Sequence, residues 1–194
     1  FSFKFSATDR VAAIDVQQNP TLSGLNFTSS GDAYYHEFDV DVRNLNSLLH
    51  FDLYNEEIRE QGLPAPVMTL RDQILKADAI LIATPEYNYS VPGVLKNAID
   101  VGSRPFGKSV FDKKPAAVAS VSPGAMSAFG ANHHLRQSLV FLNMPAMQQP
   151  EVYLGGVDKL FDADGKLANP STREFLTKVG HAFATWIEKT ASAP

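Results

Sequence analysis

Residues 79–100 read AILIATPEYNYSVPGVLKNAID. An apolar run comes first, a loop with polar and aromatic residues follows it, and a segment typical of a helix comes last. The run Ala79–Ala83 has the length and composition of a strand buried on both faces, as parallel strands are. The next residues interrupt this run, Ser90 is a candidate N-cap, and Pro92 suits the first turn of a helix. The stretch therefore predicts a strand, a loop and a helix over Pro92–Val101.

The same alternation continues on both sides of this stretch. Apolar residues at helical spacing predict helices over Met68–Lys76, Asn132–Leu142 and Ser171–Thr190, and short apolar runs predict strands over Pro115–Val121 and Glu151–Gly155. Strands that alternate with helices imply right-handed βαβ units and a parallel sheet. The chain is therefore expected to form an α/β fold.

The first 63 residues carry a weaker pattern. Phe1–Phe5 is a candidate for strand one and Glu37–Val42 for strand two. The segment between them, Val11–Asp32, should then be a helix, although its helical periodicity is poor.

Composition limits the possible functions. The chain has 194 residues, which indicates one domain over 1–194, and 17 Lys and Arg against 21 Asp and Glu give a formal charge of -4. A mildly acidic chain is not expected to bind nucleic acid or anionic membranes. With no cysteine, disulfides, thiolate catalysis and cysteine-based metal sites are excluded. No apolar run approaches the ~20 residues of a membrane span, and Phe1–Phe5 is too short for the core of a signal peptide. A cytoplasmic protein without a metal site is expected.

The run TPEYNYSVPGVLKNAID, residues 84–100, closely resembles the signature of the NADPH-dependent FMN reductase family, which includes bacterial quinone, azo and chromate reductases. Shorter matches follow the same order along the chain. They are Leu53-Tyr54-Asn55-Glu56, Ser103-Arg104-Pro105, His134-Leu135-Arg136-Gln137 and Gln149-Pro150-Glu151. The resemblance extends over roughly residues 53–187.

This resemblance implies a flavodoxin-like, three-layer, doubly wound fold with a five-stranded parallel sheet. It also implies FMN as the cofactor, NADPH or NADH as the co-substrate, and ping-pong hydride transfer to quinones, azo compounds, chromate or free flavin. Relatives are homodimers or homotetramers, so a homo-oligomer is expected. Ligands of such sheets bind outside the carboxyl ends of the strands, at the topological switch point.

The FMN phosphate is expected in the turn after strand one. The family's phosphate loop aligns with Ser6–Arg10, where Ser6, Thr8 and Arg10 would add hydroxyl and guanidinium donors to backbone amides. Two residues depart from the family pattern: Ala7 replaces a glycine, and Asp9 brings a negative charge beside a phosphate.

The isoalloxazine ring is expected at two loops. Pro85, Glu86, Tyr87 and Asn88 follow the buried strand, and backbone amides there would stabilise the negative charge of the reduced ring. Ser122 and Gly124 follow the next strand, where glycine permits close backbone approach. No side chain is expected to act as a catalytic acid or base, because the flavin carries the chemistry, and Glu86 is given a structural role.

Some alternatives stay open. His133 and His134 lack the spacing of a metal pair on one helix face, so they and Arg136 are interpreted as structural or interface residues. A flavodoxin-type electron carrier would share the fold, although such carriers are more acidic than this chain. A relative that no longer binds FMN is the third hypothesis, based on Ala7 and Asp9.

Overall fold

In the computed structural model of the chain, residues 10–15, 41–44, 52–162 and 167–191 are described, with side chains from residue 52 to residue 190. The strands are β1 Arg10–Asp15, β2 Asp41–Asn44, β3 Ala79–Thr84, β4 Ala116–Val121 and β5 Val152–Leu154. The helices are α1 Glu56–Gln61, α2 Ala65–Lys76, α3 Gly93–Gly102, α4 Phe129–Phe141 and α5 Pro170–Ala191.

The described strands form one parallel sheet in the order β2-β1-β3-β4-β5. This is the strand order of flavodoxin-like folds, with the topological switch point between β1 and β3. Because all pairs are parallel, Asp15, Thr84 and Val121 end their strands at the same edge of the sheet. We call this the carboxyl edge. The expected flavodoxin-like α/β fold is confirmed.

Helices cover both faces of the sheet. Along β3, Ile80 and Ile82 pack into one core with α2, α3 and α4, while Ala79 and Leu81 face the other core against α5. The alternation explains why this strand is apolar at every position from Ala79 to Ala83, as a strand buried on both faces must be. No helix in the described ranges is long and apolar enough to cross a membrane.

The predicted elements from residue 68 onward are confirmed, with small shifts at their ends. Ser90 is not the N-cap of α3, because Pro92 occupies that position and Ser90 closes a turn in the preceding loop. The short helix α1 was not predicted. Asn55 begins it, and its side-chain oxygen accepts from the amides of Glu57 and Ile58.

The predictions at the N-terminus are partly wrong. Residues 11–15 belong to strand β1 rather than to a helix, and the strand neighbouring β3 is Arg10–Asp15. The apolar run Val11–Ile14 suits a central strand better than Phe1–Phe5, where Ser2 and Lys4 alternate with phenylalanine. Phe1–Phe5 lies outside the described residues. The predicted strand two, Glu37–Val42, overlaps the observed β2, Asp41–Asn44, at Asp41 and Val42.

Packing of α5 on the sheet gives a first prediction. Phe183 is one of the largest fully buried side chains, so Phe183→Ala should lower the free energy of unfolding by about 3–5 kcal/mol. Phe106→Ala is the matched control, because Phe106 is exposed and the same truncation there should change stability by less than about 0.5 kcal/mol. Urea unfolding followed by circular dichroism measures both. Equal losses in the two variants would contradict this assignment of the core.

Candidate functional site

The loop after β3, residues 85–92, contains a tight turn at the carboxyl edge. The amide of Tyr87 donates to the carbonyl of Ser90 at 3.1 Å, and the amide of Ser90 donates back at 3.0 Å. Asn88 and Tyr89 between them have positive φ angles of 51° and 61°. Two successive left-handed residues are typical of a type I′ turn, and a bulky residue such as Tyr89 rarely adopts this conformation. This β3 loop therefore has a defined and strained shape.

The loop after β4, residues 122–128, is fixed by its own polar groups. The Ser122 amide donates to the carbonyl of Leu154, at 2.9 Å, and the Ser122 hydroxyl accepts from the Gly124 amide at 3.0 Å. Ser127 and Ala128 have positive φ angles of 53° and 58°, which turns the chain into α4. We call this segment the β4 loop.

The two loops meet at the N-terminus of α4. The Glu86 carboxylate accepts from the amide of Ala131 at 2.8 Å. Ala128, at the N-cap position, has no side chain that can cap, so Glu86 supplies the acceptor and places a negative charge at the positive end of the helix dipole. A Cβ at Gly130 would lie 2.7 Å from the carbonyl oxygen of Tyr89, so this approach requires glycine. The Glu86 side chain therefore joins the β3 loop to α4.

Two further contacts hold the same junction. The Nδ1 atom of His134 lies 3.0 Å from the Ser90 hydroxyl. Behind the β4 loop, the buried Ser120 hydroxyl donates to the carbonyl of Ser127 at 3.0 Å and accepts from the Asn132 amide at 3.2 Å. Buried polar groups of this kind need partners, and this network provides them. It fixes the end of the β4 loop where the chain enters α4.

Arg136 adds two hydrogen bonds to this network. Its Nε donates to Asn132 Oδ1 at 2.9 Å, and its terminal nitrogen donates to the carbonyl of Met147 at 3.0 Å. His133 lies on another side of α4, where its Nε2 is 3.1 Å from the Tyr153 hydroxyl. Both residues therefore make structural contacts within the chain. Among residues 52–162 and 167–190, no group of acidic and histidine side chains could hold a metal ion.

The donors of the β3 loop match what a flavin ring requires. The amides of Glu86, Asn88 and Tyr89 donate to no acceptor in the described part of the chain. The rings of Tyr87 and Tyr89 are exposed beside these amides. A site for the pyrimidine edge of a flavin needs unpaired backbone donors at the strand tips, together with a flat apolar wall. The residues present fit the ring end of FMN.

The structure gives a different picture for the residues that were expected to bind the FMN phosphate. Arg10 does not lie in a turn after strand one, because it is the first residue of β1 and pairs with Asp41 of β2. Six residues of strand place it about 17 Å from the carboxyl edge. The structure therefore does not place Arg10 in the expected turn, and Ser6 and Thr8 lie outside the described residues. The chain after Asp15, which follows the carboxyl end of β1, is also outside them.

The structure thus brings together most of the expected ring site. Pro85, Glu86, Tyr87 and Asn88 share the β3 loop, and Ser122 and Gly124 share the β4 loop of the adjacent strand. Sequence reasoning missed Gly130, Ser120 and Asn132, which shape the junction without belonging to either loop's motif. In the sequence, these residues stand out only as a small residue, Gly130, and two polar residues, Ser120 and Asn132, within apolar segments.

Comparison with known proteins identifies relatives of the chain. Residues 28–159 match the family described as NADPH-dependent FMN reductase. A quinone reductase of Pseudomonas putida is 58% identical over 136 residues, which cover 70% of this chain and 73% of that protein. A 2-hydroxy-1,4-benzoquinone reductase of a Burkholderia species is 37% identical over 151 residues, covering 78% and 80%. The solved structure of FerB, a flavoenzyme NAD(P)H:(acceptor) oxidoreductase from Paracoccus denitrificans, superposes with a TM-score of 0.79 at 31% identity, covering 94% and 98%.

The contact between Glu86 and α4 gives a second prediction. Glu86→Ala removes the acceptor for the Ala131 amide and should lower the free energy of unfolding by about 1–2 kcal/mol. Glu86→Gln keeps a side-chain oxygen that can accept the same hydrogen bond, so it should lose less than about half as much. Urea unfolding measures both losses, and equal losses for alanine and glutamine would show that the hydrogen bond is not the stabilising contact.

Proposed function

Because the chain belongs to the NADPH-dependent FMN reductase family, we propose that it is an FMN-dependent NAD(P)H oxidoreductase whose acceptors are quinones. The observation that carries the proposal is that the amides of Glu86, Asn88 and Tyr89, in the loop that follows β3, have no acceptor among the described residues. They stand beside the topological switch point, where doubly wound sheets bind nucleotides.

The protein's contribution is placement and electrostatics. When bound, FMN supplies hydride chemistry between NAD(P)H and the acceptor. The amides of the β3 loop would hold the pyrimidine edge, and fixed donors there favour added negative charge on the ring. Pro85 sets the start of this loop, Glu86 ties it to α4, and Ser122 and Gly124 bound the site from the β4 loop. No side chain is assigned as a catalytic acid or base.

The exposed tyrosines favour flat, aromatic acceptors. Tyr87 and Tyr89 present their rings to solvent next to these amides of the β3 loop, so a quinone ring could pack against them. Their exposure also leaves the site open, which is compatible with reduction of azo compounds, chromate or free flavin as further activities. We place the reaction in the cytoplasm, where NAD(P)H is available.

A homo-oligomer is also proposed, a dimer or tetramer formed through α4. Apolar side chains are exposed along this helix and the residues before it: Met126, Phe129, Val140 and Phe141. Phe129 and Val140 are eleven residues apart and therefore lie on nearly the same side of α4, and Phe141 is adjacent to Val140. We call these three residues the α4 stripe. Large apolar side chains exposed on one side of a helix are typical of a protein interface.

The absorption spectrum tests the proposed activity. The purified protein, or the protein after addition of FMN and gel filtration, should show the visible band of oxidised flavin. Anaerobic NADPH or NADH should bleach this band, and a quinone should restore it. A protein that takes up no FMN would support the hypothesis of a relative without the cofactor. A flavin band that neither nicotinamide bleaches would favour the electron-carrier alternative.

Substitution of the α4 stripe tests the proposed assembly. Val140→Asp places a charge at a position where a second copy would bury it, so the sedimentation coefficient should fall toward that of the monomer. Leu75→Asp, at an exposed apolar position on α2, is the matched control and should leave the sedimentation coefficient unchanged. A monomeric parent protein, or dissociation by both substitutions alike, would contradict an interface on α4.

A further inference from the structure

The chain after β5 packs directly against the β4 loop. β5 ends at Leu154, and Gly155 and Gly156 follow it at the carboxyl edge. A Cβ atom at Gly155 would lie 2.4 Å from the hydroxyl oxygen of Ser127 and 3.2 Å from the carbonyl oxygen of Gly124. Both distances are shorter than ordinary van der Waals contact, so the space beside the β4 loop has no room for a methyl group.

Space, rather than backbone conformation, favours glycine at position 155. Gly156 has a positive φ angle of 57°, in the left-handed region that favours glycine. The φ angle of Gly155 lies outside that region, so it does not exclude alanine. An alanine at this position would still bring its methyl group against Ser127. The missing side chain of Gly155 therefore serves the neighbouring loop.

Three hydrogen bonds fix Ser127 in the β4 loop. Its hydroxyl, which lies beside Gly155, donates to the carbonyl of Ala125 at 3.2 Å. Its carbonyl accepts from the buried Ser120 hydroxyl at 3.0 Å. Its amide donates to the carbonyl of Gly124 at 3.2 Å, so the two residues belong to one turn. A displacement of Ser127 is therefore passed on to Gly124, which bounds the proposed ring site.

We propose that Gly155 is a positioning residue for the flavin ring, because its missing side chain sets the distance between the β4 loop and the β3 loop. The strand order β3-β4-β5 places the β4 loop between Gly155 and the β3 loop. A side chain at position 155 would therefore press the β4 loop toward the side where the ring is proposed to lie. Packed structures have little free space, so even one added methyl group is accommodated by such shifts. This inference rests on the proposed function.

Flavin binding by Gly155→Ala tests the inference. Titration of flavin fluorescence should show FMN affinity about tenfold lower than in the parent protein, and the visible circular dichroism of the bound flavin should change. Gly102→Ala is the matched control, because a Cβ atom there would lie 2.7 Å from a ring carbon of Phe111, about 15 Å along α3 from the β3 loop. This control should lower stability in urea unfolding and change FMN affinity by less than about twofold.

A second substitution tests the contact itself. Ser127→Ala removes the oxygen atom nearest to the added methyl group, so the double variant with Gly155→Ala should regain most of the lost affinity. Two independent losses would instead add up. The double variant also replaces a Gly155→Ala chain that does not fold. Compared with Ser127→Ala alone, it should bind FMN about threefold more weakly, because the 3.2 Å contact with Gly124 remains.

The outcomes separate this inference from the proposed function. Equal FMN affinity in the parent protein and in Gly155→Ala would overturn the inference and leave the proposed function intact. A parent protein that binds no FMN would overturn the proposed function and this inference with it. The inference also fails if Gly102→Ala weakens FMN binding as much as Gly155→Ala does, or if the double variant binds FMN more weakly than Gly155→Ala.

Discussion

The hydrogen bond between the Glu86 carboxylate and the N-terminus of α4 is the contact on which the shape of the carboxyl edge depends. It spans 45 residues of sequence and joins loops that belong to two adjacent strands. The same helix end would otherwise be an anion site, because its amides and dipole attract negative charge. Here a side chain of the chain itself fills that site. The turn at Tyr87–Ser90 is thereby held against Gly130 rather than left to move with solvent.

This arrangement explains why the strained turn persists. A tyrosine with a positive φ costs free energy, and such conformations survive only where the surroundings determine them. The surroundings of Tyr89 do so on two sides: its carbonyl lies against the backbone of Gly130, and the next residue, Ser90, contacts His134. The result is a turn in which the amides of Asn88 and Tyr89 have no acceptor within the described chain. A rigid set of unpaired donors is what pre-organised binding of a planar, electron-accepting ring requires.

Much of this could be predicted from the sequence, for physical reasons. The apolar run of β3 has the length and composition of a strand buried on both faces, and the helices that follow have clear periodicity, so the fold from residue 68 onward was predictable. The loop Pro85–Asn88 was predicted as a site because residues 84–100 resemble the family signature, and its position at the carboxyl end of a parallel strand is consistent with that prediction. The role of the Glu86 side chain in capping a helix 45 residues away was not, since tertiary contacts leave no local periodic signal.

The position of Arg10 in β1 shows where a resemblance between short motifs stops being informative. Four polar residues could be aligned with a phosphate loop, but a parallel sheet fixes which residues reach its carboxyl edge, and the register with β3 assigns that edge to Asp15. In doubly wound sheets the phosphate binds beyond the carboxyl end of the first strand, so this register moves the expected phosphate position to the chain after Asp15. Sheet register is therefore the stronger constraint: it moves the phosphate end of the proposed site away from Arg10 while leaving the ring end at β3 and β4 unchanged.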